Sequence, residues 1–139
     1  MIHLQHSRNS VPHHRSGAAI VEFALVVPLL LVIVMGTIEA STMIYLKQTL
    51  HIAAYEAART ALVPKTTVSM IETTASRILD DRRVRDTTIT VTPNNFPAAA
   101  VSTWITVRVD APSNSNFAVP LLFFRNRTIS GSCTMMKEY

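Results

Sequence analysis

A chain of 139 residues with 48% apolar residues and a formal net charge of +4 has room for one small domain beyond any membrane segment. The charge excludes a nucleic-acid stripe: Arg77, Arg82, Arg83 and Arg85 are interrupted by Asp80, Asp81 and Asp86, which reads as a solvated helix end without any reading-head motif. A single cysteine, Cys133, excludes an intramolecular disulfide.

In chain order, Met1 to Gly17 carries two arginines, four histidines, Pro12 and no acid. It has no apolar periodicity and reads as a disordered leader. An apolar run follows, AAIVEFALVVPLLLVIVMGTI, in which Glu22 is the only charged residue before Glu39. From Ala18 to Ile38 a helix would reach about 30 Å, enough for a bilayer core. A carboxylate at the centre of such a span costs roughly 2.5 kcal/mol or more, so Glu22, five residues after Gly17, needs an interfacial position or a task. Positive charge precedes the span, which keeps the N-terminus cytoplasmic and exports the C-terminal module. Pro28 removes one backbone donor inside the span, which membrane helices tolerate. A removable signal peptide fits less well, because the run is long and the best small-residue site, before Ser41, has Ile38 in a key position.

The helix is predicted to continue past lipid to about Leu62. Ile38, Met43, Leu46, Leu50, Ala53, Ala54, Ala57, Ala61 and Leu62 recur at helical spacing, while Lys47, Gln48, Tyr55, Glu56 and Arg59 lie mostly off that stripe. Pro64 ends the pattern. Thr66 to Val84 reads as a second helix, with Ser69-Met70-Ile71-Glu72 as a capping box. Thr87–Thr92, Val101–Asp110 and Arg127–Met136 alternate as strands, with Ile89 and Val91 on one face of the first, Thr103, Ile105, Val107 and Val109 on one face of the second, and Ile129, Gly131, Cys133 and Met135 on one face of the third. Ala111 to Asn116 reads as a turn-rich loop, and Phe117 to Phe124 as a short helix or a buried loop.

The fold class expected is α+β. A long N-terminal helix, half transmembrane and half amphipathic, carries a second helix and a small three-stranded antiparallel sheet. The corresponding division is a leader at 1–17, a span at 18–38 continuing as helix to about 62, and an exported module at 63–139. No set of acid, base and nucleophile converges in the sequence. The leader histidines lack metal-ligand spacing, His51 stands alone, and the three glycines form no phosphate loop. The expectation is a non-enzyme with no cofactor, no metal, no nucleic-acid partner and no small-molecule substrate.

Arg15-Ser16-Gly17 followed by AAIVEFALVVPLLL, with Ala54-Tyr55-Glu56-Ala57-Ala58-Arg59-Thr60-Ala61 downstream, resembles the N-terminal region of TadE-like proteins, pseudopilins of the tight adherence, or Flp-type, pilus system. The resemblance covers Arg15 to about Leu62. It implies a single-pass protein of the bacterial inner membrane, cut by a prepilin peptidase after Gly17 so that Ala18 becomes the new N-terminus. The partners it implies are that peptidase, other pilins or pseudopilins, and pilus assembly proteins. Glu22 would then be the fifth residue of the mature chain, placed to neutralise the terminal amine of a neighbouring subunit at low dielectric. Two other readings compete: an unprocessed single-span envelope protein with a periplasmic protein-binding module, and a membrane-tethered enzyme.

Overall fold

A computed structural model describes residues 14–95, 101–117 and 123–137, with the backbone alone at 14–16. In chain order the elements are α1 (His14–Ala61), α2 (Val68–Asp81), β1 (Thr88–Thr92), β2 (Trp104–Pro112), α3 (Ser113–Asn116) and β3 (Thr128–Met136). The fold is α+β, as the sequence pattern requires. It divides into two units, Met1–Met35 and Gly36–Tyr139, and α1 contributes to both.

In the first unit the described residues are helical from His14 onward. The expected disordered leader is therefore corrected at its end: residues 14–17 belong to the helix, and the residues before them lie outside the described set. Ile20, Val21, Phe23, Leu25, Leu29, Leu30 and Leu31 are all exposed, so this unit builds no core of its own. A helix that is apolar on every side and buried by no protein is stable only in an apolar solvent. Its length and composition suffice to cross a membrane.

The second unit has a core made where α1 and α2 pack on one face of the sheet. Leu46, Leu50, Ala53, Ala54, Ala57, Ala58 and Ala61 of α1 are buried, whereas Ile38 is exposed. The expected stripe therefore holds from Leu46 and fails at its first member. Alanines at the C-terminal half of α1 let α2 come close, and Ala57, Ala58 and Ala61 share a cluster with Ile71, Ala75, Val91, Ile105 and Val107. Leu46 and Leu50 cluster instead with Leu79, Val84, Val109, Ala111 and Ile129.

The N-cap of α2 is Thr67, whose side chain accepts from the Met70 N–H. This corrects the capping box placed at Ser69, which lies inside the helix, where its carbonyl accepts from the Thr73 hydroxyl. Thr67 takes the position because it has the extended backbone a cap needs, φ −105° and ψ 161°, whereas Ser69 lies within the helix. The other end closes by two bonds, Val84 N–H to the Leu79 carbonyl and Arg83 N–H to the Asp80 carbonyl. Arg83 stands at positive φ, and Val84 is buried beside Leu79. This is a Schellman motif with arginine where glycine is usual, and it identifies Arg82 and Arg83 as the solvated end of a helix.

The sheet is antiparallel in the order β1-β2-β3. Val91 pairs with Val107 and Val107 with Cys133, while Ile105 faces Met135 and Ala111 faces Ile129. The expected alternation is observed, with Val91, Ile105, Val107, Val109 and Ile129 buried on the shared face, whereas Thr103, expected beside them, precedes β2. β2 starts three residues later than expected and runs on to Pro112, because Ala111 is still paired and fully buried. The turn expected from Ala111 thus begins at Ser113, where α3 forms. Its Asn116 accepts from the Arg85 N–H at 2.7 Å and donates to the Arg85 and Pro112 carbonyls. Most of the apolar segment expected at Phe117–Phe124 lies outside the described residues.

Candidate functional site: the apolar helix and its two carboxylates

The three positions singled out by sequence, Gly17, Ala18 and Glu22, lie on α1 and are exposed. A Cβ built on Gly17 would meet nothing within 4 Å, so packing does not require glycine there. Ala18 and Glu22 are four residues apart and share one helix face. No hydrogen bond or salt bridge of Glu22 occurs among the described residues.

The second carboxylate behaves in the opposite way. Glu39 is 4% exposed, although sequence alone marks it only as the charge that follows the span. Its Oε1 accepts from the Phe123 N–H at 3.0 Å and from the Phe124 N–H at 2.6 Å, and Oε2 lies 3.2 Å from the Phe123 nitrogen. Charge-assisted bonds of this kind are about twice as strong as neutral ones, and here they anchor the segment that leads into β3. Phe123 also reaches α1 itself: its ring carbon Cε2 would stand 3.5 Å from a Cβ at Gly36. The sequence carried one signal for this role, a lone acid among apolar residues where a helix leaves lipid, but not its partners.

The outward face of the sheet is polar except at one end, where Trp104 and Met136 pair and are exposed. Thr106 and Thr134 hydroxyls share a hydrogen bond of 2.9 Å across the strands. Arg108 donates from Nε to both oxygens of Asp110, at 3.0 and 2.9 Å, and from a terminal nitrogen to the Ser130 hydroxyl. The Arg108 bond is the main reason the Asp110 carboxyl is held below the ordinary carboxylate range, with burial opposing and Ser130 assisting. A carboxyl with a lowered folded value stabilises the fold above its unfolded value, and that contribution is lost as pH falls through the folded one. Asp110→Asn should therefore weaken the module at neutral pH, and the gap to the parent should close below about pH 4. Urea unfolding across pH 2.5–7 (~ range set by carboxylate titration) checks this, and a gap that persists in acid contradicts it.

Cys133 is half-buried, and burial pushes its thiol up, which makes it a poor nucleophile. On the open side of α1, Ile44, Lys47, Gln48, His51 and Ile52 line a shallow groove. Among the described residues no three His, Cys, Asp or Glu side chains come together to hold a metal.

The arrangement is thus an apolar helix with an exposed acid near its start and a buried, hydrogen-bonded acid beyond its apolar run. Residues 17–59 match the family model of TadE-like proteins. Over these residues the chain is similar to TadE-like proteins. The match opens at Gly17, includes both Glu22 and Glu39, and stops within α1, so the TadE-like region ends before α2 and the sheet begin. No curated protein and no solved structure matches the chain.

Proposed function

We propose that this protein is a membrane-embedded, pseudopilin-like subunit that takes part in assembling a tight-adherence-type pilus or a related secretion apparatus. The observation that carries the reading is the match of residues 17–59, which starts at Gly17 and covers the one described helix able to cross a membrane. In this reading the chain sits in the bacterial inner membrane, N-terminus cytoplasmic, and is not an enzyme. A prepilin peptidase cuts after Gly17 and leaves Ala18 as the mature N-terminus. Gly17 is the fourth residue of α1, and glycine weakens a helix by about 1 kcal/mol relative to alanine. Unwinding the first turn to present the Gly17–Ala18 bond is therefore cheap. Glu22, exposed and one turn beyond the new amine, neutralises the N-terminus of a neighbouring subunit.

N-terminal sequencing of membrane-extracted protein tests this. With the peptidase active the sequence should begin at Ala18; an intact Met1 end under those conditions overturns the processing claim. Glu22→Ala should be cut normally yet assemble several-fold less well, as read by co-purification with the other assembly proteins. Normal assembly removes the role given to Glu22. The start of α1 before Gly17 favours a second reading, an unprocessed single-span envelope protein whose module binds another protein, and the same sequencing result decides between them.

A further inference from the structure

The unit Gly36–Tyr139 includes the last residues of the apolar run, Gly36, Thr37 and Ile38, so the point at which α1 leaves its apolar stretch lies within this one unit. The segment Phe123–Arg127 is fixed at that point. Glu39, the first residue past the run, accepts from the Phe123 and Phe124 N–H groups. A Cβ on Gly36 would stand 3.5 Å from the Phe123 ring, yet Phe123 is 60% exposed. A ring open to water forgoes the stabilisation that burial supplies, and a ring open to lipid does not.

Arginines follow at once. Arg125 and Arg127 are exposed, and the segment 123–127 holds no acid. The short helix α3 brings further arginines beside them. Ser113 holds the Arg127 backbone twice: its N–H donates to the Arg127 carbonyl at 2.7 Å, and its Oγ accepts from the Arg127 N–H at 3.0 Å. Asn116 treats Arg85 in the same way, accepting from its N–H at 2.7 Å and donating to its carbonyl at 2.9 Å. Arg85 and Arg127 are therefore attached to opposite ends of one helical turn about 5 Å long. Arg82 and Arg83 precede Arg85 and are exposed; the acids near them are Asp86 and, at the end of α2, Asp80 and Asp81. Among the described residues none of these arginines forms a salt bridge.

We infer that this end of the module docks on anionic phospholipid headgroups of the leaflet that α1 leaves, with Phe123 at the acyl boundary and Arg125, Arg127 and Arg85 on the phosphates. The inference rests on the membrane-spanning reading of the apolar run. A guanidinium bonds two phosphate oxygens at once through its planar fork. The potential of an anionic leaflet falls off within about 8 Å at physiological ionic strength, so it acts on arginines held close to the boundary, and Arg125 directly follows a residue bonded to Glu39. An acidic protein could meet the same arginines, but an open phenylalanine against Gly36, inside the apolar run, favours lipid.

The full-length chain carrying Phe123→Trp and Trp104→Phe is placed in equimolar vesicles of phosphatidylcholine and phosphatidylglycerol, with brominated acyl chains on one lipid or the other. Both should quench the tryptophan fluorescence. The preference for phosphatidylglycerol, read from the two quenching curves, should be several-fold at low salt and fall toward parity at high salt. Arg85→Gln, Arg125→Gln and Arg127→Gln together should abolish the preference and leave quenching by phosphatidylcholine in place. Absence of quenching, equal quenching by the two lipids, or a preference that survives the triple substitution overturns the inference. If the tryptophan exchange disturbs native circular dichroism, spin-labelled lipids on the unsubstituted chain decide: the immobilised fraction of labelled phosphatidylglycerol should exceed that of labelled phosphatidylcholine, and equal fractions overturn the proposal. A chain released from vesicles by alkaline carbonate removes the membrane span and this inference with it. A chain that stays embedded and shows no lipid preference removes this inference alone.

Discussion

Gly131→Ala should destabilise the Gly36–Tyr139 unit by about 3 kcal/mol, at the upper end of what overpacking costs. The reason is the closeness of β3 to α1. A Cβ on Gly131 would stand 2.5 Å from the His51 nitrogen, 2.5 Å from the Leu50 carbonyl carbon and 2.8 Å from its oxygen. These are backbone atoms of a helix, so no side chain can rotate out of the way. Either β3 lifts from the helix or α1 shifts against the sheet, and both open the core around Leu50, which is fully buried. In a module of this size such a loss lowers Tm by more than about 10 °C. Thermal unfolding followed by circular dichroism checks it. Ser132→Ala, one residue away on the exposed side, should change Tm little, and equal stability of Gly131→Ala and the parent would show that the two elements do not approach so closely.

The second large effect is expected at Glu39. Glu39→Ala removes the acceptor of two backbone N–H groups, on Phe123 and Phe124. A half-buried donor left without a partner costs about 1–3 kcal/mol, so the variant should lose about 2–4 kcal/mol, less if water reaches the vacated site. Glu39→Gln should fall between, since the amide keeps one acceptor oxygen but loses the charge that strengthens both bonds. Hydrogen exchange separates this effect from general unfolding: the Phe123 and Phe124 amides should exchange much faster in Glu39→Ala, while the Val107 and Val109 amides on the central strand keep their protection. Unchanged exchange at Phe123 and Phe124 would remove the clamp.

The two effects involve residues whose importance sequence periodicity could not display. Gly131 was legible as an inward position of an alternating strand, but alternation says only which face a residue takes. Its need to be glycine arises from Leu50 and His51, distant in the chain and brought over it by the packing of α1. Glu39 was legible only as the charge that follows the apolar run. Its burial depends on Phe123 and Phe124 bringing two N–H groups to it, a contact across more than eighty residues. The cap of α2 shows the same limit on a smaller scale. Ser69 and Glu72 satisfy the spacing of a capping box, but Thr67 has the extended backbone and takes the role. Residue type and spacing propose several caps, and the path of the preceding turn selects one.

The sequence by itself determined the elements and their faces. The apolar run with its one carboxylate, the helical stripe from Leu46 to Ala61, and the period-two strands are all set by local spacing, because a helix or strand must bury one side of itself. The TadE-like resemblance was legible for the same reason, since its residues are contiguous within one helix. Only the tertiary structure decided what each special residue meets: a helix backbone against Gly131, two amides against Glu39, and one helical turn holding both Arg85 and Arg127. Burial of backbone groups and the pairing of strands depend on segments far apart in the chain, and no local pattern encodes which distant group will arrive.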